Sequence, residues 1–192
     1  MRKIIVSLVV FGLLGAAPNV RSQESDLRVT PSGSGKTLTF DVAIDTRTFR
    51  TINGVNPFTP NPPDISRGDT FIVNGKIYPS GTIPSGQGVF SPDMPGSIGT
   101  WVCRGVFLVS YAEIAAGAQI LVNTTQLFLL DDGNRLVSEG LEGPIPVMRA
   151  VIGGTGDLSG ASGDVLQETL GTNTTGLFNL HFTFALKKGS LK

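Results

Sequence analysis

The sequence predicts an all-β protein built as a closed, eight-stranded, mostly antiparallel barrel. Three observations support this. Runs of alternating apolar and polar residues recur along most of the chain, as in half-buried strands. The composition holds 25 glycines and only 7% aromatics in 192 residues, which favours strands joined by turns over packed helices. Eight antiparallel strands with short links leave two raw sheet edges, and closing the sheet removes both. A β-sandwich is the alternative that alternation alone leaves open.

The elements follow in order. Residues 1–22 read as a signal peptide, with Arg2 and Lys3 ahead of the apolar run 4–14 and small residues at Ala16, Ala17 and Ser22. Residues 23–35 are polar and read as a loose segment, and 36–192 as one barrel domain. The first strand, 36–46, sets Leu38, Phe40, Val42 and Ile44 on one face and Thr39, Asp41, Ala43 and Asp45 on the other. The second is 69–78 and the third 100–109. The fourth, 119–130, ends at Asp131-Asp132-Gly133-Asn134, a hairpin signal. The fifth, 135–142, stops at Gly143-Pro144, and the sixth is 145–152. The seventh, 162–170, is the weakest, and the eighth, 177–186, alternates strictly through Phe178, Leu180, Phe182, Phe184 and Leu186.

Two proline-rich segments interrupt the pattern. Pro57, Pro60, Pro62 and Pro63 fall in 53–64, and Pro79, Pro84, Pro92 and Pro95 in 79–99. Proline donates no backbone hydrogen bond, so both read as long surface loops, a common setting for the rim of a binding site. Residues 112–118 are the only helix candidate. Strands three and four are apolar on both faces, which predicts outer surfaces covered by neighbouring subunits or by the long loops; the expectation is a homo-oligomer, a dimer or trimer.

Charge excludes one class of partner. Basic and acidic residues number 15 each, and loss of Arg2, Lys3 and Arg21 with the signal leaves a small acidic excess. No basic stripe interleaved with aromatics is present, so nucleic acid is not expected as a partner. Cys103 is the sole cysteine and His181 the sole histidine. No internal disulfide can form, no ordinary zinc site is expected, and Cys103 reads as a buried thiol among apolar neighbours. The sequons at Asn123 and Asn173 place Asn173 as the better glycosylation acceptor, because Asn123 lies within a strand.

Candidate chemistry is sparse. Asp41 and Asp45 share a strand face. If that face lines the barrel they are carboxylates in an apolar cavity, able to act as general acid or hydrogen-bond donor; if it meets water they are ordinary surface acids. Asn74 and Tyr78 share a face of the second strand, where a tyrosine can orient a ligand oxygen. Arg104 and Arg149 stand in apolar strands and either extend outward or pair with an internal carboxylate.

The segment Arg149-Ala-Val-Ile-Gly-Gly-Thr-Gly-Asp157 drives a β-branched strand into a glycine turn. With Gly68-Asp69 leading to Asn74-Gly-Lys-Ile-Tyr78, Gly99-Thr-Trp-Val-Cys103 and the Phe-rich last strand, it resembles the dirigent and allene oxide cyclase barrel superfamily. The resemblance covers most of 36–187. It implies a barrel that folds or guides a lipophilic small molecule without a cofactor or metal. Where the cyclases carry Tyr-Glu-x-Asn, this chain has Phe40-Asp41-Val42-Ala43, keeping a carboxylate and losing the asparagine. The arginines that follow the glycine turn in dirigent proteins are replaced by Asp157-Leu-Ser-Gly-Ala-Ser162.

The expectation is a secreted or periplasmic barrel, off the membrane once the signal is removed. It would guide cyclisation, isomerisation or stereoselective coupling of a hydrophobic small molecule, as an isomerase if it is an enzyme. Asp41 and Asp45 would be catalytic, with Asn74, Tyr78, Cys103 and Arg149 contacting substrate. A ligand carrier, or a structural barrel with a filled interior, is the alternative.

Overall fold

The computed structural model describes residues 35–51 and 65–187. The expected signal peptide, the loose segment up to residue 34 and the whole of the first proline-rich segment lie outside these residues. Eight strands close into one barrel in chain order: β1 (Lys36–Thr51), β2 (Thr70–Pro79), β3 (Gly99–Phe107), β4 (Val122–Leu130), β5 (Arg135–Glu142), β6 (Val147–Thr155), β7 (Gly163–Thr172) and β8 (Phe178–Leu186). Every neighbouring pair is antiparallel, including the closing pair β1 and β8. One helix, α1 (Tyr111–Ala115), links β3 to β4; Ser110 and Glu113 form its capping box.

Alternation sets the inside. Phe40, Val42 and Ile44 of β1 point into the core with Val73, Trp101, Phe128, Leu136, Val165, Phe182 and Phe184. Phe128 packs edge-on against Phe182 and Phe184, with ring centres 5.0 and 4.9 Å away, and fills the middle of the barrel. Toward the end where β1, β3 and β5 finish, Phe49, Phe71 and Phe107 line the wall at 5.0 Å spacings. The outer faces keep Ile72, Leu141, Met148 and Ile152 exposed.

Two strands run well past the ends that alternation predicts. β1 continues to Thr51 through a register shift between Asp45 and Arg50, which breaks the period-two pattern that made it legible. β6 passes through Gly153-Gly154 to Thr155 before a single 3-10 turn, Gly156–Leu158. A side chain at Gly154 would collide with the carbonyl oxygens of Leu158 and Arg135, and Gly156 has φ of +66°. The glycine turn therefore exists to let β6 fold tightly against the β4–β5 hairpin end.

Most of the second proline-rich segment lies along the outside of the barrel, over β1, β2, β7 and β8, while Ser97 and Ile98 reach the barrel end beside Leu38 and Leu130. The Ile83 amide donates to Asp41 Oδ2 at 3.0 Å, Asn179 Nδ2 donates to the Val89 carbonyl at 3.0 Å, and the Tyr78 hydroxyl lies 2.9 Å from the Met94 carbonyl. Ile83 and Phe90 pack with Ala43, Tyr78 and Leu170 in a small second core beneath this strap.

Candidate active site in the barrel interior

Period-two alternation carries polar side chains as well as apolar ones into the barrel. On β4 the inward positions are Val122, Thr124, Gln126 and Phe128; on β5 they include Leu136, Ser138 and Glu142. Register sets Cys103 of β3 opposite Gln126, and Gln126 opposite Ser138. Arg149 of β6 and Gln167 of β7 complete a polar belt across five adjacent strands. Gly140 makes room for it: a Cβ there would stand 3.2 Å from Cβ and Cγ of Arg149, whose side chain passes over the glycine.

Glu142 is the centre of the belt. Its Oε1 accepts from Gln126 Nε2 at 2.8 Å and from the Thr124 hydroxyl in a short contact, with Cys103 Sγ at 3.5 Å and Arg149 Nη1 at 3.4 Å. Its Oε2 accepts from Gln167 Nε2 at 3.2 Å. Gln126 also donates to Gln167 Oε1 at 2.8 Å. Among the described residues Oε1 is thus crowded with donors while Oε2 has one, leaving acceptor capacity on Oε2.

Arg149 holds the belt together. It donates to the carbonyls of Gly140 at 3.0 Å, Leu141 at 3.2 Å and Thr124 at 3.0 Å, and Nε reaches Ser138 Oγ at 3.4 Å. Its side chain is fully buried, and burial lowers its pKa against the opposing pull of Glu142. The Cys103 thiol is pushed well above its ordinary value, first by burial and then by the Glu142 charge, so it stays protonated.

A cavity of about 110 Å³ adjoins this belt. Its walls are Phe49, Phe71, Phe107 and Phe178 with Ile44, Val73, Trp101, Val122 and Leu180, and its polar edge is Cys103, Glu142 and Gln167. Glu142 keeps 13% of its side-chain exposure, so the site communicates with solvent. The interior is therefore filled by aromatics at its middle and open at the end lined by Phe49, Phe71 and Phe107, not packed throughout.

The residues singled out from sequence divide between two places. Cys103 and Arg149 belong to the interior belt, and Cys103 lines the cavity. Asp41, Asp45, Asn74 and Tyr78 are on the outer face, because the core takes the Phe40, Val42, Ile44 side of β1 and the Val73, Ile77 side of β2. Asp41 is 1% exposed, yet it is covered by the 80–98 strap and not by the barrel. There it faces His181, with Oδ1 2.7 Å from Nδ1. Asp45 pairs with Arg47 at 2.7 Å, and Arg47 also binds Asp93 at 2.7 Å. The expectation that Asp41 looks into the barrel cavity is corrected: the carboxylate that does so is Glu142. Cys103 inside and His181 outside cannot form a dyad.

Asn173 is likewise not an accessible glycosylation acceptor. It is 2% exposed and its Nδ2 donates to the Ile44 carbonyl at 2.7 Å. Arg104, the other mid-strand arginine, points outward and is exposed.

Comparison with solved structures agrees with this architecture. The chain superimposes on a pyocyanin demethylase with a TM-score of 0.51 at 17% identity, covering 79% of this chain and all of the other. It superimposes on the pterocarpan synthase dirigent protein PsPTS1 with a TM-score of 0.51 at 13% identity, over 81% of this chain and 97% of that one. The fold is a dirigent-like barrel. A second pterocarpan synthase dirigent protein, GePTS1, matches at a TM-score of 0.51 and 14% identity, over 80% and 92% of the two chains. No family model and no curated protein matches the sequence. At these identities the likeness is one of fold, and the dirigent-like barrel must yield its chemistry through its own residues.

Proposed function

We propose that this dirigent-like barrel binds a lipophilic small molecule in its interior cavity and guides its cyclisation or isomerisation, with Glu142 as the reacting carboxylate. The observation that carries the reading is the placement of Glu142: one carboxylate, fixed by protein donors, at the polar edge of an otherwise apolar aromatic pocket. The names of the structural neighbours, a pyocyanin demethylase and two pterocarpan synthases, associate small organic molecules with the same barrel.

The physical argument runs from the pocket to the reaction. Apolar walls select and fold a flexible hydrophobic ligand, which removes entropy from the reacting conformation before any bond changes. A preorganised carboxylate in a site of low dielectric interacts strongly with positive charge or with an acidic hydrogen on the ligand. The faces of Phe49, Phe71, Phe107 and Trp101 favour a developing cation. In an isomerisation Glu142 Oε2 takes a proton from one position and returns it to another. Arg149 compensates the buried charge and holds the carboxylate in register. The reading invokes no cofactor. It extends to an exported protein that associates with copies of itself through the apolar outer positions Ile72, Leu141, Met148 and Ile152.

Titration calorimetry with 4-ethylphenol and ethylbenzene tests the site. A hydroxyl donating to a charged acceptor contributes roughly 1.5–3 kcal/mol. Wild type is expected to bind 4-ethylphenol at least ten-fold more tightly than ethylbenzene. Glu142→Gln is expected to lose that preference while binding ethylbenzene unchanged. Equal binding of 4-ethylphenol by wild type and Glu142→Gln would remove Glu142 from the site.

A further inference from the structure

The barrel has a second cavity, at the end opposite the Glu142 site. Its volume is about 500 Å³, against about 110 Å³ for the first, and the two share no wall residue. On β1, Leu38 and Phe40 line the second chamber and Ile44 the first. Phe40 leans edge-on against Phe184 with ring centres 5.9 Å apart, and Phe184 against Phe128 at 4.9 Å, so the aromatic plug is the partition. Main-chain bonds fix the walls. The Ile98 amide donates to the Ile77 carbonyl at 2.8 Å, and the Asp131 amide to the Ile98 carbonyl at 3.0 Å. The Asp157 amide donates to Asn134 Oδ1 at 2.7 Å, tying the turn that carries Leu158 to the β4–β5 hairpin. The chamber is thus preformed, and its size is that of a small-molecule site. Leu38, Ile98 and Leu130 line it while only partly buried, leaving apolar surface for a ligand to take out of water.

The rim sets the ligand's charge. Its ionisable groups are Lys36, Asp131 and Asp132. Asp132 accepts from the Asn134 amide at 2.9 Å and from Asn134 Nδ2 at 3.0 Å. The Asp131 carboxylate has no hydrogen-bond or ion-pair partner among the described residues. Arg135, next to this turn, spends Nη1 on the Leu130 and Asn134 carbonyls at 2.8 and 2.9 Å. Two carboxylates against one ammonium favour a cation over an anion. We propose that this end of the barrel is a second binding site, which takes an apolar molecule bearing a basic nitrogen. The apolar body lies against Leu38, Phe40 and Leu130, and the ammonium stays at the rim with Asp131. The site is filled independently of the Glu142 cavity, because the plug separates them.

Three probes of equal length test the site: 4-phenylbutylamine, 4-phenylbutan-1-ol and 4-phenylbutanoate. Calorimetry on the full wild-type chain at neutral pH and low salt is expected to rank amine over alcohol over carboxylate. The amine should exceed the alcohol by about five-fold, the scale of a partly exposed charge pair. Raising the salt to about 0.5 M should shrink that ratio toward one. Asp131→Asn is expected to lose most of the amine preference and to bind the alcohol as before. It should also keep wild-type affinity for 4-ethylphenol, the probe of the Glu142 cavity. An assigned 15N-correlated NMR spectrum of wild type locates the site without any variant. The amine should move the amides of Ile98 and of residues 130–134 and leave those of Thr124, Gln126 and Glu142 in place. An amine that binds no better than the alcohol, or that moves the Gln126 and Glu142 amides instead, overturns the second site. Tighter binding of the carboxylate, or no binding of the amine, overturns it as well. None of these results touches the 4-ethylphenol test of Glu142.

Discussion

Arg149 and Glu142 form an ion pair inside the barrel, Nη1 to Oε1 at 3.4 Å, with the arginine side chain wholly removed from solvent. The pair joins β5 to β6 across the polar belt and anchors the carboxylate that faces the cavity. Its energetics follow from burial: each charge is desolvated, and each is tolerable only with the other present.

Arg149→Met is therefore expected to destabilise the protein by about 3–5 kcal/mol, because it strands Glu142 and frees three backbone carbonyls. Adding Glu142→Gln to it should recover part of that loss. Urea unfolding of the two single variants and the double variant measures the coupling. Simple additivity would mean that the pair does not act as a unit.

Cys103 supplies a pH dependence. Its thiol is raised in the folded barrel, first by burial and then by Glu142, while in the unfolded chain it titrates near 8.5. Above that pH the unfolded state releases a proton that the folded state keeps. The stability contribution is thus complete below about pH 8.5 and declines as pH rises toward the folded value. Cys103→Ala should flatten the fall in unfolding free energy between about pH 8 and 10. In the native protein the thiol should react with a disulfide reagent at least 100-fold more slowly than in urea-unfolded chain.

Asp41 is expected to act as a fastener for the strap. Its Oδ2 accepts from the Ile83 amide and its Oδ1 meets His181. Asp41→Ala leaves both partners without their acceptor and should cost about 1–3 kcal/mol. Hydrogen exchange at the Ile83 amide should accelerate more than exchange at β4 or β5 amides. Uniform acceleration across the barrel would show global destabilisation in place of local release of residues 80–98.

The barrel was legible because its rules are local. Strict alternation through Phe178–Leu186 and the Asp131–Asn134 turn each point to one strand or one hairpin. The prolongation of β1 past Thr46 was not, because the register shift between Asp45 and Arg50 breaks the period. The site was harder still. Alternation divides a strand into two faces but does not say which is inside when both carry apolar residues, so Asp41 and Tyr78 could be read inward. Glu142 escaped notice because Gly143-Pro144 marks it as a strand end. The available signal was its parity: it shares the inward face with Leu136 and Ser138. Thr124 and Gln126, at inward positions of an apolar strand, were a second one.

The central claim is that the ligand site is the interior cavity with Glu142 at its edge. A crystal structure of the protein soaked with 4-bromophenol tests it most directly, because the bromine's anomalous signal fixes both position and orientation. The account predicts the ring against the wall formed by Phe49, Phe71 and Phe107 with its hydroxyl on Glu142 Oε2. A ring found beneath the 80–98 strap beside Tyr78, or at the opposite barrel end by Leu38 and Leu130, with the interior cavity unchanged, would contradict it.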